Sequence, residues 1–238
     1  MPQNSVAPGG ARDLRGIVIT VASSKGGVGK TQICQSLSGR LAEIGYKVAV
    51  VDIDPSLAFS SWHALYSEQG RKPITLASSV PERDIFKTTD SLAERHDVVL
   101  LDTAGFGASN VIFAIGSADY VVIPAQTSAK DLVEAEDMVG KVRSSARMAN
   151  REIDYRILLN RVKPGTRVLA HSLSELERQE HPRLRTMLSD LTAFCESSFS
   201  GMVPRGDLAS GQIDRLIDEL IEIGWIPDRP AEELAEAS

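Results

Sequence analysis

The sequence has few cysteines and no long apolar run. Only two of its 238 residues are cysteines, Cys34 and Cys195, and they lie far apart. It has no Cys-x-x-Cys pair and no Cys/His cluster, which excludes the common zinc and iron–sulfur patterns. No apolar segment approaches the roughly 20 residues that a membrane-spanning helix needs, and the first residues lack the apolar core of a signal peptide. We therefore expect a protein of the reducing cytoplasm.

Positive charge and aromatic side chains are also scarce. Lys and Arg total 26 against 32 Asp and Glu, a net charge of −6, and aromatic residues make up 5% of the chain. Nucleic-acid-binding domains usually have a basic surface, so the average charge argues against such a partner. The hydrophobic share of 42% and the charged share of 24% are those of an ordinary globular protein. The length suits one α/β domain with an aliphatic core.

Short β-branched runs alternate with amphipathic segments along the chain, which predicts an α/β fold. We expect a doubly wound, mostly parallel sheet covered by helices on both faces, with ligands at the carboxyl ends of its strands. One domain is predicted over 16–224, after a lead-in at 1–15 and before an acidic tail at 225–238. The predicted strands are 16–22, 47–53, 74–78, 98–101, 120–123 (stopped by Pro124), 155–159 and a further one near 185–189. The predicted helices include 31–44, 57–69, 81–94, 107–117, 129–147 and 209–223.

A Gly-rich loop, Ser24–Thr31 (SKGGVGKT), joins the first strand to the first helix. It matches the pattern G-x-x-x-x-G-K-[S/T], except that Ser24 replaces the first glycine. Its glycines allow the backbone to approach phosphates closely, and its N–H groups and the helix N-terminus face them. We expect Lys30 to reach the β- and γ-phosphates and the Thr31 hydroxyl to bind Mg²⁺.

Two predicted strands end in aspartate, one at Asp52–Pro55 (DIDP) and one at Asp102–Gly105 (DTAG). A carboxylate at a strand end beside a phosphate loop is the Walker B arrangement, which holds Mg²⁺. Asp102 is the natural candidate. Asp52 and Asp54 alternate on their strand and point to opposite sides of it, and one or both could meet the γ-phosphate where the strand ends.

These motifs together are similar to the ParA family of deviant Walker A ATPases, which includes plasmid and chromosome partition proteins and MinD. The extra lysine of that family's loop is Lys25 here. Val121–Ser128 (VVIPAQTS) looks like another family segment, and Trp62 with the stretch 185–201 looks like the small partition ATPases of the ParF type. The resemblance covers about residues 16–224 and implies a SIMIBI-like P-loop NTPase fold.

The resemblance also implies the cofactors and the roles of the site residues. ATP and Mg²⁺ are the expected cofactors. Asp54 orients or activates the attacking water, and Asp52 supports the shell around Mg²⁺. Lys25 reaches across an ATP-dependent sandwich dimer to the phosphates of the partner subunit. The implied catalytic residues are Lys25, Lys30 and Asp54, and the implied metal residues are Thr31, Asp52 and Asp102.

Two positions depart from the family pattern, and the base site is poorly marked. Gln32 stands where the family usually has a second Thr or Ser, and Ser56 replaces the usual Gln after Pro55. Asn160 ends a predicted strand and could bond the edge of the base, or it could cap the strand end. The nucleotide-binding set expected from the sequence is Lys25, Gly26, Gly27, Val28, Gly29, Lys30, Thr31, Gln32 and Asn160.

The charge is unevenly distributed along the chain. Residues 140–205 contain twelve Lys and Arg against seven Asp and Glu, whereas 1–139 and 206–238 are acidic. Such a basic stretch could bind DNA phosphates without reading sequence, as ParA-like ATPases do in binding nucleoid DNA. The family also implies a ParB-like or cargo-adaptor partner. The candidate DNA-binding residues are Arg143, Arg147, Arg151, Lys163, Arg167 and Arg183.

Several alternatives remain within this interpretation. The cargo could be a plasmid, a chromosome or a protein assembly such as a carboxysome or chemoreceptor cluster. A MinD-like membrane ATPase needs a basic amphipathic C-terminal helix, but the apolar stripe of 209–223 is surrounded by carboxylates, so core packing explains it better. An iron–sulfur reductase component needs paired cysteines, and a scaffold that only binds nucleotide does not need the intact Lys25, Asp54 and Asp102.

Overall fold

The computed structural model describes residues 15–105 and 110–228. Strands and helices alternate along almost the whole of this part. The strands are β1 (Ile17–Val21), β2 (Val48–Asp52), β3 (Ile74–Ser78), β4 (Val98–Asp102), β5 (Tyr120–Ala125) and β6 (Asp154–Leu159). The helices are α1 (Lys30–Glu43), α2 (Ala58–Ser67), α3 (Ile85–Ala93), α4 (Asn110–Ser117), α5 (Ala129–Ala149), α6 (Arg167–Arg178), α7 (Thr192–Ser200) and α8 (Asp207–Glu222), with a 3₁₀ turn at Glu82–Asp84.

The six strands form one parallel sheet in the order β3-β2-β4-β1-β5-β6. β2, β3 and β4 lie on one side of β1, and β5 and β6 lie on the other. The strand order therefore reverses at β1 and leaves a crevice at its carboxyl end, where ligands bind in such folds. The register places Asp102 opposite both Val21 and Asp52. The predicted doubly wound α/β fold is confirmed, and the two aspartate strand ends lie side by side.

Alternate side chains of each strand pack into two hydrophobic layers, one on each face of the sheet. Ile19 and Val21 pack into the layer with α1, α2, α7 and α8, whereas Val18 packs into the layer with α3, α4, α5 and α6. The apolar stripe of α8 is fully buried in the first layer. This burial agrees with core packing as the explanation of that stripe.

Three boundaries differ from the sequence prediction. Pro124 lies inside β5 and does not stop it, because β1 pairs with β5 only as far as Val122 and needs no N–H from the proline. The predicted strand near 185–189 is reduced to isolated bridges at Arg183 and Ser189. Trp225, assigned to the tail, is buried and stacks on Tyr120 with a ring separation of 4.6 Å. The rest of the tail from 229 and the lead-in up to 14 lie outside the described residues.

Candidate functional site

The Gly-rich loop connects β1 to α1 at the crevice of the sheet. Gly27 and Gly29 have φ angles of 75° and 98°, in the left-handed region that glycine adopts at least cost. A Cβ on Gly29 would lie 2.3 Å from the Asn160 amide nitrogen. Gly105, just after β4, approaches the loop so closely that its Cβ would lie 3.1 Å from the Gly26 Cα. The glycines therefore allow three chain segments to meet around the loop.

Lys30 begins α1 and its side chain is buried beneath the loop. Its ammonium group donates a 3.1 Å hydrogen bond to the Lys25 carbonyl. Burial lowers the pKa of Lys30, and the nearby carboxylates of Asp102 and Asp54 oppose that shift. A buried ammonium between a Gly-rich loop and two carboxylates is placed to bind phosphate oxygens.

Asp102 is fully buried at the end of β4, and neither of its carboxylate oxygens has a hydrogen-bond partner among the described residues. The pKa of Asp102 is raised to about 7, chiefly by burial; the charges of Asp52 and Asp54 add to the rise, and the neighbouring Thr31 hydroxyl and the charge of Lys30 oppose it. An unsatisfied buried carboxylate is costly unless a cation compensates it. Asp102 and the Thr31 hydroxyl are hard oxygen donors, so the pair fits Mg²⁺.

Asp52 and Asp54 have different surroundings at the end of β2. The buried Asp52 carboxylate accepts bonds from the Ser60 N–H (2.9 Å) and hydroxyl (2.6 Å) and from the Asp54 N–H (3.2 Å), so it fixes the first turn of α2. Asp54 is half-buried, accepts a 2.8 Å bond from the Ser56 N–H and lines the pocket beside the loop. The structure therefore leaves Asp54 accessible to a ligand, while the role of Asp52 toward Mg²⁺ stays a prediction.

Lys25 contacts the start of α5 within its own chain. Its ammonium forms an ion pair with Asp131. Asp131 also belongs to the capping box of α5 with Ser128. Burial raises the pKa of Asp131, but the hydrogen bonds from Lys25 and Ser128 outweigh it and leave the pKa below its ordinary value. Sequence reasoning missed this carboxylate.

A second contact joins the same helix to the first residue of the loop. The Ser24 hydroxyl donates a 2.8 Å bond to Asp137, and Lys141 donates a 2.8 Å bond to the Ser24 hydroxyl. The hydrogen bonds from Lys141 and Ser24 lower the pKa of Asp137. Helix α5 therefore contacts both residues that precede the loop glycines.

Asn160 follows β6 and is fully buried against the loop. Its amide nitrogen donates a 2.8 Å bond to the Val28 carbonyl, and its amide oxygen accepts a 2.9 Å bond from the Arg161 N–H. This side chain braces the loop in the conformation that Gly29 permits. Its contact with a base stays a prediction.

A pocket of about 390 Å³ opens beside the loop. Predicted residues, among them Gly26, Gly29, Lys30, Thr31 and Gln32, line one side together with Asp54. Sequence reasoning missed the other side, because nothing in the pattern of α7 marks it as part of a site. The missed lining residues are Gln35, Ala58, Gly105, Arg161, Phe194, Cys195, Ser198 and Phe199.

The six candidate DNA-binding residues do not all lie together. Arg143, Arg147 and Arg151 line one shallow depression at the end of α5. Lys163 and Arg167 are exposed beyond the carboxyl end of β6. The end of α5 lies instead near the amino end of β6, so the two groups are at opposite ends of the strand. Arg183 is exposed alongside β6 and bridges to Ile157.

The basic depression is partly neutralised by its neighbours. Arg151 forms a 2.6 Å ion pair with Asp119, and Arg143 donates a 3.2 Å hydrogen bond to the Tyr155 hydroxyl. Arg147 is exposed and forms no ion pair among the described residues. Its guanidinium is therefore the most available of the three.

Comparison with known proteins identifies the family. The model of the CobQ/CobB/MinD/ParA nucleotide-binding domain matches residues 19–204. The chain belongs to this family. Protein ParA of Rhizobium radiobacter is 32% identical over 156 residues, covering 63% of this chain and 67% of that protein. The resemblance to ParA and MinD expected from the motifs is thereby confirmed.

Two further relatives match over most of their length. Maintenance of carboxysome distribution protein A of Halothiobacillus neapolitanus is 24% identical over 213 residues, covering 87% of this chain and 97% of that protein. A variant of McdA from Cyanothece, in complex with ATP, superposes with a TM-score of 0.75 at 15% identity, covering 88% of this chain and 97% of that one. At that identity, the structural likeness shows the fold alone.

No helix within 15–105 and 110–228 has both the length and the apolar character needed to cross a membrane.

Proposed function

We propose that this protein is a ParA-like ATPase that forms an ATP-dependent sandwich dimer, binds DNA without sequence preference and positions a cargo. The observation that carries the proposal is the unsatisfied buried carboxylate of Asp102 beside Thr31 and Lys30, at the edge of a Gly-rich loop. Mg²⁺ bound there would neutralise charge on the phosphates. The family's nucleotide-binding domain supports the same assignment.

In this proposal the residues around the phosphates have separate roles. The loop amides and Lys30 hold the β- and γ-phosphates, and Thr31 and Asp102 serve Mg²⁺. Asp54 is accessible in the pocket and orients the attacking water. Preorganised charges of this kind act where negative charge develops during phosphoryl transfer.

Lys25 is the residue that would require a second subunit. In the single chain its ammonium is held by Asp131, so it must leave that carboxylate to reach the phosphates of a partner. A cation added by the partner subunit stabilises charge at the transferring phosphoryl group. ATP then favours the dimer, because its γ-phosphate offers Lys25 a further anion that ADP lacks.

A combined mass and hydrolysis measurement tests these steps. We expect light scattering to show a dimer with Mg²⁺–ATP and a monomer with Mg²⁺–ADP, and phosphate to be released at a measurable rate. In the Asp54→Ala variant we expect the ATP dimer to persist and hydrolysis to be lost. A monomer in all nucleotide states would contradict the sandwich, and hydrolysis unchanged in Asp54→Ala would contradict the role of Asp54.

The exposed cations at the end of α5 support the DNA part of the proposal. Arginine contacts to phosphate provide affinity without reading sequence. Dimerisation doubles the number of such contacts on one duplex, which makes binding depend on ATP. Hydrolysis, stimulated by a ParB-like or cargo-adaptor partner, then releases the DNA. We expect the protein to be cytoplasmic and associated with the nucleoid.

The cargo has two candidates. The similarity to Protein ParA favours a plasmid or chromosome. The match to the carboxysome distribution protein, which spans nearly all of that relative, favours a protein assembly. Deleting the gene and scoring plasmid loss against mispositioned protein assemblies in the same cells distinguishes them. Plasmid loss alone supports partition of DNA, and mispositioning alone supports the protein cargo.

A further inference from the structure

Ser24 stands where the general phosphate-loop pattern has its first glycine, and phosphate binding by the loop makes no use of its side chain. Its hydroxyl donates a 2.8 Å hydrogen bond to Asp137 and accepts a 2.8 Å hydrogen bond from Lys141. Asp137 and Lys141 also form a 2.8 Å ion pair, one turn apart on α5. The three groups form a closed polar triangle, and a glycine at this position could not take part in it.

Helix α5 is a firm support for this triangle. On its inner face, Leu132, Met138 and Val139 are buried in the hydrophobic layer that α3, α4 and α6 share. On its outer face, the side chains of Asp137 and Lys141 are 58% and 39% exposed. Exposed ion pairs contribute little to stability. Loss of the triangle therefore leaves the fold intact and changes only what the triangle holds.

The backbone of Lys25, the next residue, is held on both sides. Its N–H donates a 3.2 Å hydrogen bond to the hydroxyl of buried Ser23, and its carbonyl accepts a 3.1 Å hydrogen bond from the Lys30 ammonium. With Ser24 anchored on α5, these contacts fix the point from which the Lys25 side chain extends. The side chain is about a third exposed and pairs with Asp131. Only its torsion angles have to change when Lys25 exchanges Asp131 for another anion.

The two attachments of the loop lie on different turns of α5. Asp131, which binds Lys25, precedes Asp137, which binds Ser24, by six residues, or roughly 9 Å of helix. Adjacent residues of the loop therefore contact points that are well separated along the helix axis. Both contacts can form together only when the loop has one alignment along α5.

We propose that Ser24, Asp137 and Lys141 are positioning residues for Lys25. They hold it where its ammonium can move from Asp131 to the phosphates of a second subunit without movement of the loop. A charge placed in advance acts on the transferring group with little reorganisation. The inference rests on the proposed role of Lys25 in the dimer and adds to that role three residues that do not line the nucleotide pocket.

The titration of Asp131 reports on Lys25 in the protein without nucleotide. Burial raises the pKa of Asp131, but hydrogen bonds from Lys25 and Ser128 outweigh burial and hold the pKa below its ordinary value. We expect Ser24→Ala to raise this pKa, because a less fixed Lys25 spends less time on Asp131, and Ser24→Thr, which keeps the hydroxyl, to leave it low. Ser144→Ala, which removes a hydroxyl bonded only to a carbonyl of α5, is the matched control. Carbon-13 NMR of labelled carboxyl groups measures the titration.

Asp137→Ala separates positioning from simple electrostatics. Removal of a negative charge near Asp131 would by itself lower the pKa of Asp131. Loss of the triangle acts in the opposite sense, so we expect the pKa to rise in this variant as well. An unchanged or lowered pKa of Asp131 in both Ser24→Ala and Asp137→Ala would overturn the proposal.

Dimerisation links the positioning of Lys25 to function, and light scattering with Mg²⁺–ATP measures it. Loss of one hydrogen bond weakens an equilibrium by roughly 2- to 12-fold. Because the dimer contains two copies of the contact, we expect Ser24→Ala to raise the dissociation constant of the ATP dimer by roughly 5- to 150-fold. Ser24→Thr should restore the dimer, and Ser144→Ala should not affect it.

The two measurements distinguish failure of this inference from failure of the proposed function. An ATP dimer that is equally stable in Ser24→Ala and in the unmodified protein would contradict the positioning role alone. Absence of an ATP dimer in the unmodified protein would contradict the proposed sandwich, and with it the change of partner by Lys25, whatever the pKa of Asp131.

Discussion

The charged side chains at the carboxyl ends of the strands are buried, whereas those at the end of α5 are exposed. At the sheet edge, Lys30 and Asp102 are buried and lie close together, and Asp102 has no hydrogen-bond partner among the described residues. At the end of α5, Arg143 and Arg147 are exposed to solvent. Buried charges cost stability and gain strength from the low dielectric, whereas exposed ones cost little and are screened. The first region therefore suits chemistry, and the second suits reversible binding.

The largest expected effect comes from removing the buried cation. We expect Lys30→Ala to lower ATP hydrolysis by about 10²- to 10³-fold, because a preorganised charge at the transferring group contributes about that much. Phosphate release measures it. Lys47→Ala, an exposed lysine at the opposite edge of the sheet, is the matched control. Equal rates of ATP hydrolysis in Lys30→Ala and Lys47→Ala would show that the buried cation contributes no more to catalysis than an exposed one.

The buried carboxylate predicts an unusual pH dependence of stability. Because the folded pKa of Asp102 is about 7, above the ordinary 3.8, the folded protein holds this proton to higher pH than the unfolded chain does. The loss of stability that Asp102 causes is absent below about pH 4. It grows as the pH rises to 7, where it lowers the free energy of unfolding by roughly 4 kcal/mol. Asp102→Asn removes that penalty, so we expect its advantage in free energy of unfolding without nucleotide to grow with pH.

Urea unfolding across this pH range measures the effect. Asp137→Asn is the opposite control, since hydrogen bonds from Lys141 and Ser24 lower the pKa of exposed Asp137, and that stabilisation is present at neutral pH and lost in acid. If the free energy of unfolding changes with pH in the same way in Asp102→Asn and in the unmodified protein, Asp102 does not destabilise the fold.

A smaller effect is expected at Gly29, the glycine that precedes α1. We expect Gly29→Ala to lower the free energy of unfolding by about 1–3 kcal/mol, because φ is 98° and the new Cβ would meet Asn160. Gly26→Ala is the matched control: a Cβ there meets nothing within 4 Å. Chemical unfolding of the two variants gives the comparison, and a loss in Gly26→Ala as large as in Gly29→Ala would contradict this explanation.

The smallest effect on stability is expected at the end of α5. We expect Arg143→Ala combined with Arg147→Ala to lower the free energy of unfolding by about 1 kcal/mol or less, mainly through loss of the Arg143–Tyr155 hydrogen bond. The same variant should reduce the slope of log K for DNA against log salt by about 4, one phosphate contact for each of the four arginines that the ATP dimer presents. Arg178→Ala, exposed on α6 and paired with Glu175, should leave the slope unchanged. A large loss of stability would show that these arginines support the fold.

Local chemistry at the phosphate loop could be predicted from the sequence because the chain itself brings those residues together. Ser24–Thr31 is contiguous, and the ends of β2 and β4 meet once the sheet is parallel. The identity of the strands followed from their apolar runs in the same way. Pro124 was predicted to end a strand, since the sequence does not show that β1 stops short of it.

Contacts between distant segments could not be predicted from the sequence. Asp131 reaches Lys25 across 106 positions, and α7 reaches the pocket only through the packing of helices on α1 and α2. Gln35 had a weak signal, a polar residue one turn after Gln32 on a helix. The candidate DNA-binding residues form one basic stretch of the sequence. In the structure, β6 separates them, and Lys163 and Arg167 lie at the opposite end of that strand from the arginines of α5.

Binding of duplex DNA in the presence of each nucleotide tests most directly whether the buried site controls the exposed one. Fluorescence anisotropy of a labelled duplex is followed with Mg²⁺–ATP and Mg²⁺–ADP, at low and high salt. We predict binding with ATP that weakens steeply as salt rises and little binding with ADP. Equal binding with both nucleotides, or no binding with either, would contradict the proposal that ATP at the phosphate loop governs DNA binding.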